Sequence, residues 1–264
     1  MIALLPLVLA LLLGCGASRR GVVHDPPRWQ SEEGKTDSRI ALADALARGG
    51  SADQSLTLIA QLRTEGIHSP ELGLVQARAL RQAGLVDDAE SVLRELVRKH
   101  PRLAGAHDQL GVLLLDTRQV EAALASLQRA AQLDPDDAQI LNNLGFAQLT
   151  AGQHAEAVGT LRQALQLDGA DRQIRNNLGF ALVADNRADE ALRVFRAGMP
   201  EPDARYNLAL GLEMGGKSKA AFEEYAAVLS TWPGHQPSIE GIRRLDDHLS
   251  TPEPSPTDPA TEAP

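Results

Sequence analysis

The sequence predicts an all-α chain, a solenoid of about six helix pairs closed by a single C-terminal helix. The first observation behind this is a repeat. Asn142-Asn143-Leu144-Gly145-Phe146-Ala147 recurs as Asn176-Asn177-Leu178-Gly179-Phe180-Ala181, 34 residues on. Each copy is followed by a polar turn and then by Ala-rich amphipathic sequence, so one period holds two helical stretches. Composition agrees. Hydrophobic residues are 43% of the 264 residues but aromatics only 3%, as suits helices packed through Ala and Leu.

Taken in order, the units follow from that period. Residues 36–69 form a divergent first unit, with Leu42, Ala43, Leu46, Gly50, Ile59 and Leu62 in the apolar pattern and Ser55 at position twenty. Residues 70–103 carry Ala77, Leu80, Gly84, Ala89, Leu93 and Pro101, and residues 104–137 carry Leu110, Gly111, Leu114, Ala123, Leu127, Ala130 and Pro135. Pro101 and Pro135 stop the second helix of their units. Residues 138–171 hold Leu141, Leu144, Gly145, Gly152, Ala157, Leu161 and Ala164. The fifth unit, 172–201, is cut short by Gly198-Met199-Pro200; about one helical turn is lost, which keeps the face in phase. Residues 202–235 restore the pattern through Leu208, Leu212, Gly216, Ala221, Tyr225 and Pro233. Ile239, Ile242, Leu245 and Leu249 then mark one face of a helix over 238–249, the expected cap.

Large residues at positions four, seven and twenty-four, with small ones at eight, twenty and twenty-seven, resemble the tetratricopeptide repeat. That resemblance implies a right-handed α-solenoid used as a protein-binding scaffold. Two antiparallel helices approach closely only where side chains are small. Arg118 and Asn186 stand at position fifteen, where the repeat prefers Gly. The turn at Arg118 is therefore expected to differ slightly.

The ends read differently. Residues 1–14 hold a short apolar run, too short to span a bilayer as an ordinary helix, that suits a signal peptide. Leu12-Leu13-Gly14-Cys15 resembles the lipobox of bacterial lipoproteins. The resemblance implies cleavage before Cys15 and lipidation, with palmitate among the acyl chains expected, of that sole cysteine. Two or three acyl chains anchor stably where one does not. Gly16 resembles an outer-membrane sorting signal. Residues 15–35 read as a flexible tether containing Trp29, and 250–264 as a disordered Pro-rich tail.

Composition excludes several functions. The formal net charge is −9 and no basic stripe is interleaved with aromatics, so no nucleic-acid partner is expected. The seven His residues show no metal-ligand spacing with Cys or Glu. His68, His100, His154 and His235 fall at turns, where a solvated His is ordinary. No nucleophile elbow, phosphate loop or paired-carboxylate motif is present. The repeats leave no room for a catalytic domain, so neither an enzyme activity, nor a cofactor, nor a small-molecule substrate is expected.

A ligand would lie on the first helices. Positions five, nine and twelve share one face, turned to the concave side. Asp108, Val112 and Leu115 occupy them in the third unit. Asn142, Phe146 and Leu149 follow in the fourth, Asn176, Phe180 and Val183 in the fifth, and Tyr206, Leu210 and, at position thirteen of the same inner surface, Met214 in the sixth. The last nine form a candidate peptide-binding groove, an apolar strip flanked by Asn amides that can donate to and accept from a peptide backbone. For any single position, packing into the neighbouring unit is an equal alternative. Gln139, Asn142, Asn143, Gln173, Asn176 and Asn177 stand where the carboxylate-clamp variety uses Lys or Arg, which disfavours a clamp.

The Asn-Asn-Leu-Gly-Phe-Ala segments, the short fifth unit and Arg205-Tyr206-Asn207-Leu208-Ala209 resemble Tad-type pilus assembly lipoproteins. Six repeats behind a lipobox are similar to type IV pilotins. The resemblance implies a lipid-anchored scaffold in the bacterial envelope, at the outer membrane facing the periplasm, whose protein partner is a secretin or pilus component. A regulator of a peptidoglycan synthase or hydrolase is the alternative.

Overall fold

The computed structural model describes residues 32–250. The chain divides into two compact units, residues 1–39 and 40–264. Cys15, Trp29, the expected signal peptide and nearly all of the tail fall outside the described residues. Thirteen α-helices, and no strands, make up the described residues. They are α1 Glu32–Arg48, α2 Ala52–Thr64, α3 Pro70–Gln82, α4 Val86–Lys99, α5 Ala104–Asp116, α6 Val120–Leu133, α7 Ala138–Thr150, α8 His154–Leu167, α9 Arg172–Ala184, α10 Ala188–Arg196, α11 Glu201–Met214, α12 Ser218–Thr231 and α13 Gln236–Ser250. Residues 32–35 are helical rather than tether.

Six helix pairs and a closing helix are thus present, and the small residues explain how each pair closes. A Cβ added to Gly111 would lie 2.4 Å from Leu127 Cγ. At Gly145 it would lie 2.5 Å from Leu161 Cγ, and at Gly179 2.2 Å from Phe195 Cε1. The large residue of the second helix therefore sits where the first helix has no side chain. Ala89, Ala123, Ala157, Ala191 and Ala221 have 0% exposure at the crossing. Ser55, the exception at position twenty, is tolerated because its buried hydroxyl donates to the Ala43 carbonyl at 2.7 Å.

The turns within pairs share one geometry. Gly50, Gly84, Gly152 and Gly216 have φ between 72° and 82°, and Arg118 and Asn186 have φ of 61° and 62°. The turn at Arg118 is accordingly the same left-handed turn, contrary to expectation. Arg118 N–H donates to the Leu115 carbonyl and Gln119 N–H to that of Leu114, the pattern that Gly152 and Gln153 make. Those backbone bonds hold the left-handed conformation at a residue that disfavours it.

Helix ends between pairs are set by short polar side chains and proline. Asp137 Oδ1 accepts from the N–H groups of Gln139 and Ile140, Asp171 does the same for Gln173 and Ile174, and Ser69 Oγ accepts from Leu72 N–H. His100, Asp134 and Trp232, each preceding a proline, leave the helix at φ near −129°, −139° and −126°.

The short fifth unit is visible in α10, which has 9 residues where α8 and α12 have 14. Gly198 ends it, with the Arg175 side chain 2.6 Å from where its Cβ would be. Arg196 then forms a two-pronged ion pair with Glu201 at the start of α11, and Arg205 joins Glu201 to Glu224 of α12. The core continues across this junction through Phe195, Ala204, Leu208 and Tyr225. On α13, Leu245 is buried and Ile242 packs against the same core. Leu42, counted in the first apolar pattern, is 53% exposed.

Candidate functional site

The first helices of the last three pairs bring part of the expected groove together. Phe146, Leu149, Phe180, Val183 and Met214 line one open cavity of about 660 Å³. Its apolar wall is unusually accessible for such residues: Phe146 is 45% and Met214 76% exposed. Val183 is buried and forms the floor. Gly211 permits this, because a Cβ there would lie 3.1 Å from Val183 Cγ1. Phe180 plays two parts. It lines the cavity and stands edge-on to the wholly buried Phe195, with ring centroids 5.4 Å apart.

The expected Asn amides are not in that cavity. Asn142 is buried, and its Oδ1 accepts from Asn177 Nδ2 at 2.8 Å. One unit earlier, Asn143 Nδ2 donates to Asp108 Oδ1 at 2.8 Å. These are rungs of a ladder that joins position six of one unit to position five of the preceding one. They hold first helices together rather than presenting amides to a ligand. Asn176, half-buried, would accept the next rung from Asn207, but its Oδ1 has no partner. The shortened α10 changes the approach of α11, and Asn207 donates to Met199 Sδ instead, at 3.4 Å. Tyr206 and Leu210 are also half-buried and outside the cavity. Tyr206 packs on Tyr225 and His235, with centroids 5.7 and 5.9 Å away.

The cavity also contains residues that sequence reasoning missed, among them Thr150, His154, Asn186 and Lys217. Counting positions along first helices alone overlooks the turns. Two signals were available: Asn186 replaces the usual Gly at its turn, and a Lys directly follows Gly216. Lys217 Nζ donates to Asn186 Oδ1.

The earlier units present a different concave surface. Val112 and Asp108 line a polar cavity of about 690 Å³ with Arg78 and Arg81, while Leu115 packs against the core. Burial pushes the Asp108 carboxyl up to about 6, against the hydrogen bond from Asn143 and the nearby arginines. Burial also lowers the pKa of Arg78, which pairs with Asp44. The apolar strip is therefore confined to the last three pairs.

One cluster has the residue types of a nucleophilic triad. His235 Nδ1 is 2.9 Å from Ser238 Oγ, and its Nε2 is 3.3 Å from Asp203 Oδ1. Ser238 has 0% exposure, so no substrate can reach it. The cluster instead fixes the start of α13, and the His235 side chain is only 12% exposed rather than solvated. Among the described residues no three His, Cys, Asp or Glu side chains are grouped to hold a metal, and no helix is long and apolar enough to cross a membrane.

Comparison with known proteins agrees with the packing. Models described as "TPR repeat" and "Tetratricopeptide repeat" match residues 111–152 and 148–211. Tetratricopeptide repeat protein 37 of Xenopus laevis is 28% identical over 130 residues, 48% of this chain but only 8% of that protein. Among solved structures, Pseudomonas aeruginosa PilF superposes with a TM-score of 0.60 at 16% identity, covering 80% of this chain and 98% of PilF. A thermophilic TPR protein of Thermus thermophilus, TTC0263, gives 0.53 at 24% identity, covering 81% and 98%. YrrB, described as a TPR protein with an unusual peptide-binding site, gives 0.55 at 18% identity, covering 70% and 97%.

Proposed function

We propose that the chain is a tetratricopeptide-repeat scaffold that binds a segment of a protein partner in the apolar cavity of its last three helix pairs. The single observation that carries this reading is the accessible cluster of Phe146, Leu149, Phe180, Val183 and Met214. A repeat stack does not need two large exposed apolar side chains there, and their transfer from water on binding is favourable. YrrB provides a precedent for a peptide site on this kind of stack. In this reading Cys15 carries the lipid anchor, and the cavity faces the periplasm from the outer membrane. The partner is a component of pilus or secretin assembly, as the lipobox and the repeat segments resemble such lipoproteins.

The test is a pull-down from solubilised membranes with the full chain and with the Phe146→Ala/Met214→Ala variant. These two exposed residues replace less core than Phe180 would. A secretin or pilus component recovered with the wild type and lost with the variant is the expected result. A cell-wall synthase or hydrolase recovered in the same way would replace the pilus assignment. A partner retained equally by both would remove the cavity from the account. Labelling with a radioactive fatty acid, lost on Cys15→Ser, checks the anchor independently.

A further inference from the structure

The lining of the cavity holds basic side chains as well as apolar ones. Its titratable lining groups are Lys217 and His154, and no carboxylate lines it, although the chain carries a formal −9. Several arginines elsewhere are paired with acids: Arg81 with Asp116, Arg187 with Glu190, Arg196 with Glu201, Arg244 with Glu213. Among the described residues Lys217 has no such partner. Its ammonium is held by the Asn186 side-chain oxygen, and Asn186 sits in the left-handed turn at φ 62°. Asn is among the few side chains that tolerate this conformation, so the exchange of Gly for Asn brings a hydrogen-bond acceptor to the cavity rim. Both residues come from turns between helices, not from the concave helix faces.

Resting on the cavity being the binding site, we infer that its occupant is a partner segment in which a large apolar side chain is flanked by Asp or Glu. The apolar side chain fills the space between Phe146, Phe180 and Met214, and the carboxylate meets Lys217. Complementary charge at such a rim sets partner choice more than affinity. The protein's own tail, residues 251–264, does not match. It offers Glu253, Asp258 and Glu262, but its remaining residues are Pro, Ala, Ser and Thr, with nothing large and apolar to fill the cavity.

A phage-displayed library of random dodecapeptides, selected against the full chain, tests this. The expected enrichment is Phe, Leu, Ile or Met adjacent to Asp or Glu. Peptides so selected, resynthesised with the acid changed to its amide, should bind about two- to fivefold more weakly, the range of an exposed ion pair. Lys217→Glu should abolish or reverse the acidic preference while keeping the apolar one, and Asn186→Gly, which suits the turn, should weaken it. Apolar enrichment without an acidic preference, or a preference unmoved by Lys217→Glu, would overturn the inference and leave the cavity assignment standing. No enrichment, or enrichment unchanged by Phe146→Ala, would remove both. Concentration-dependent self-association lost in Phe146→Ala would make a second copy the occupant and overturn the inference.

Discussion

At the scale of single residues, one buried and one half-buried polar group pull against the fold. Gln148 is 8% exposed and its Oε1 has no partner. It stands at position eleven, where the other units have Leu46, Leu80, Leu114, Leu182 and Leu212. Gln148→Leu should stabilise by about 1–3 kcal/mol, the cost of an unsatisfied buried carbonyl, read as a higher denaturation midpoint. An unchanged or lower midpoint would show that the amide has an unseen partner. Asp108 gives the second case. Its folded pKa of about 6 exceeds the ordinary 3.8, so the folded state binds more protons between those values. Its contribution to stability therefore falls as pH rises from 3.8 to 6, and the cost is full above that window. Asp108→Asn can still accept from Asn143. It should raise the melting temperature at about pH 7.5 and lose that gain as pH approaches about 4. An equal shift at both pH values would contradict the burial account.

At the scale of elements, each helix pair depends on a missing side chain. Gly179→Ala places a Cβ 2.2 Å from Phe195 Cε1, and Phe195 has no exposed surface into which to move. The substitution should destabilise by about 1–3 kcal/mol through overpacking. Gly159→Ala, on a second helix with nothing within 4 Å, is the control and should be neutral or mildly stabilising. Equal effects at the two sites would mean that the close approach is not what matters. This level was readable from sequence. A period of 34 with Gly or Ala at fixed positions follows from geometry inside one unit. The Asn residues were harder. Whether position five faces a ligand or a neighbour depends on how far the next unit's position six reaches, a relation between units. Asn142 and Asn143 are adjacent in sequence and belong to different rungs. The failed rung at Asn176 follows from a shortening in α10, a separate element further along the chain.

At the scale of the second compact unit, helix pairs with one packing rule carry two unlike concave surfaces. The earlier pairs offer charged and amide groups engaged with one another. The last three line an open cavity with apolar side chains, of which Phe146 and Met214 are exposed among the described residues. The apolar residues at positions nine, twelve and thirteen were visible in the sequence. The exclusion of Asn142 and Tyr206 was not, because burial there is decided by the ladder and by the contacts of Tyr206 with Tyr225 and His235. The central claim is that Phe146 serves binding and not folding. It is tested most directly by measuring, on one preparation of Phe146→Ala, both the melting temperature and the affinity for a peptide selected on the wild type. The account predicts a melting temperature within the range of a surface substitution, about ±0.5 kcal/mol in stability, with binding about tenfold weaker or more. A large fall in melting temperature with affinity retained would contradict it.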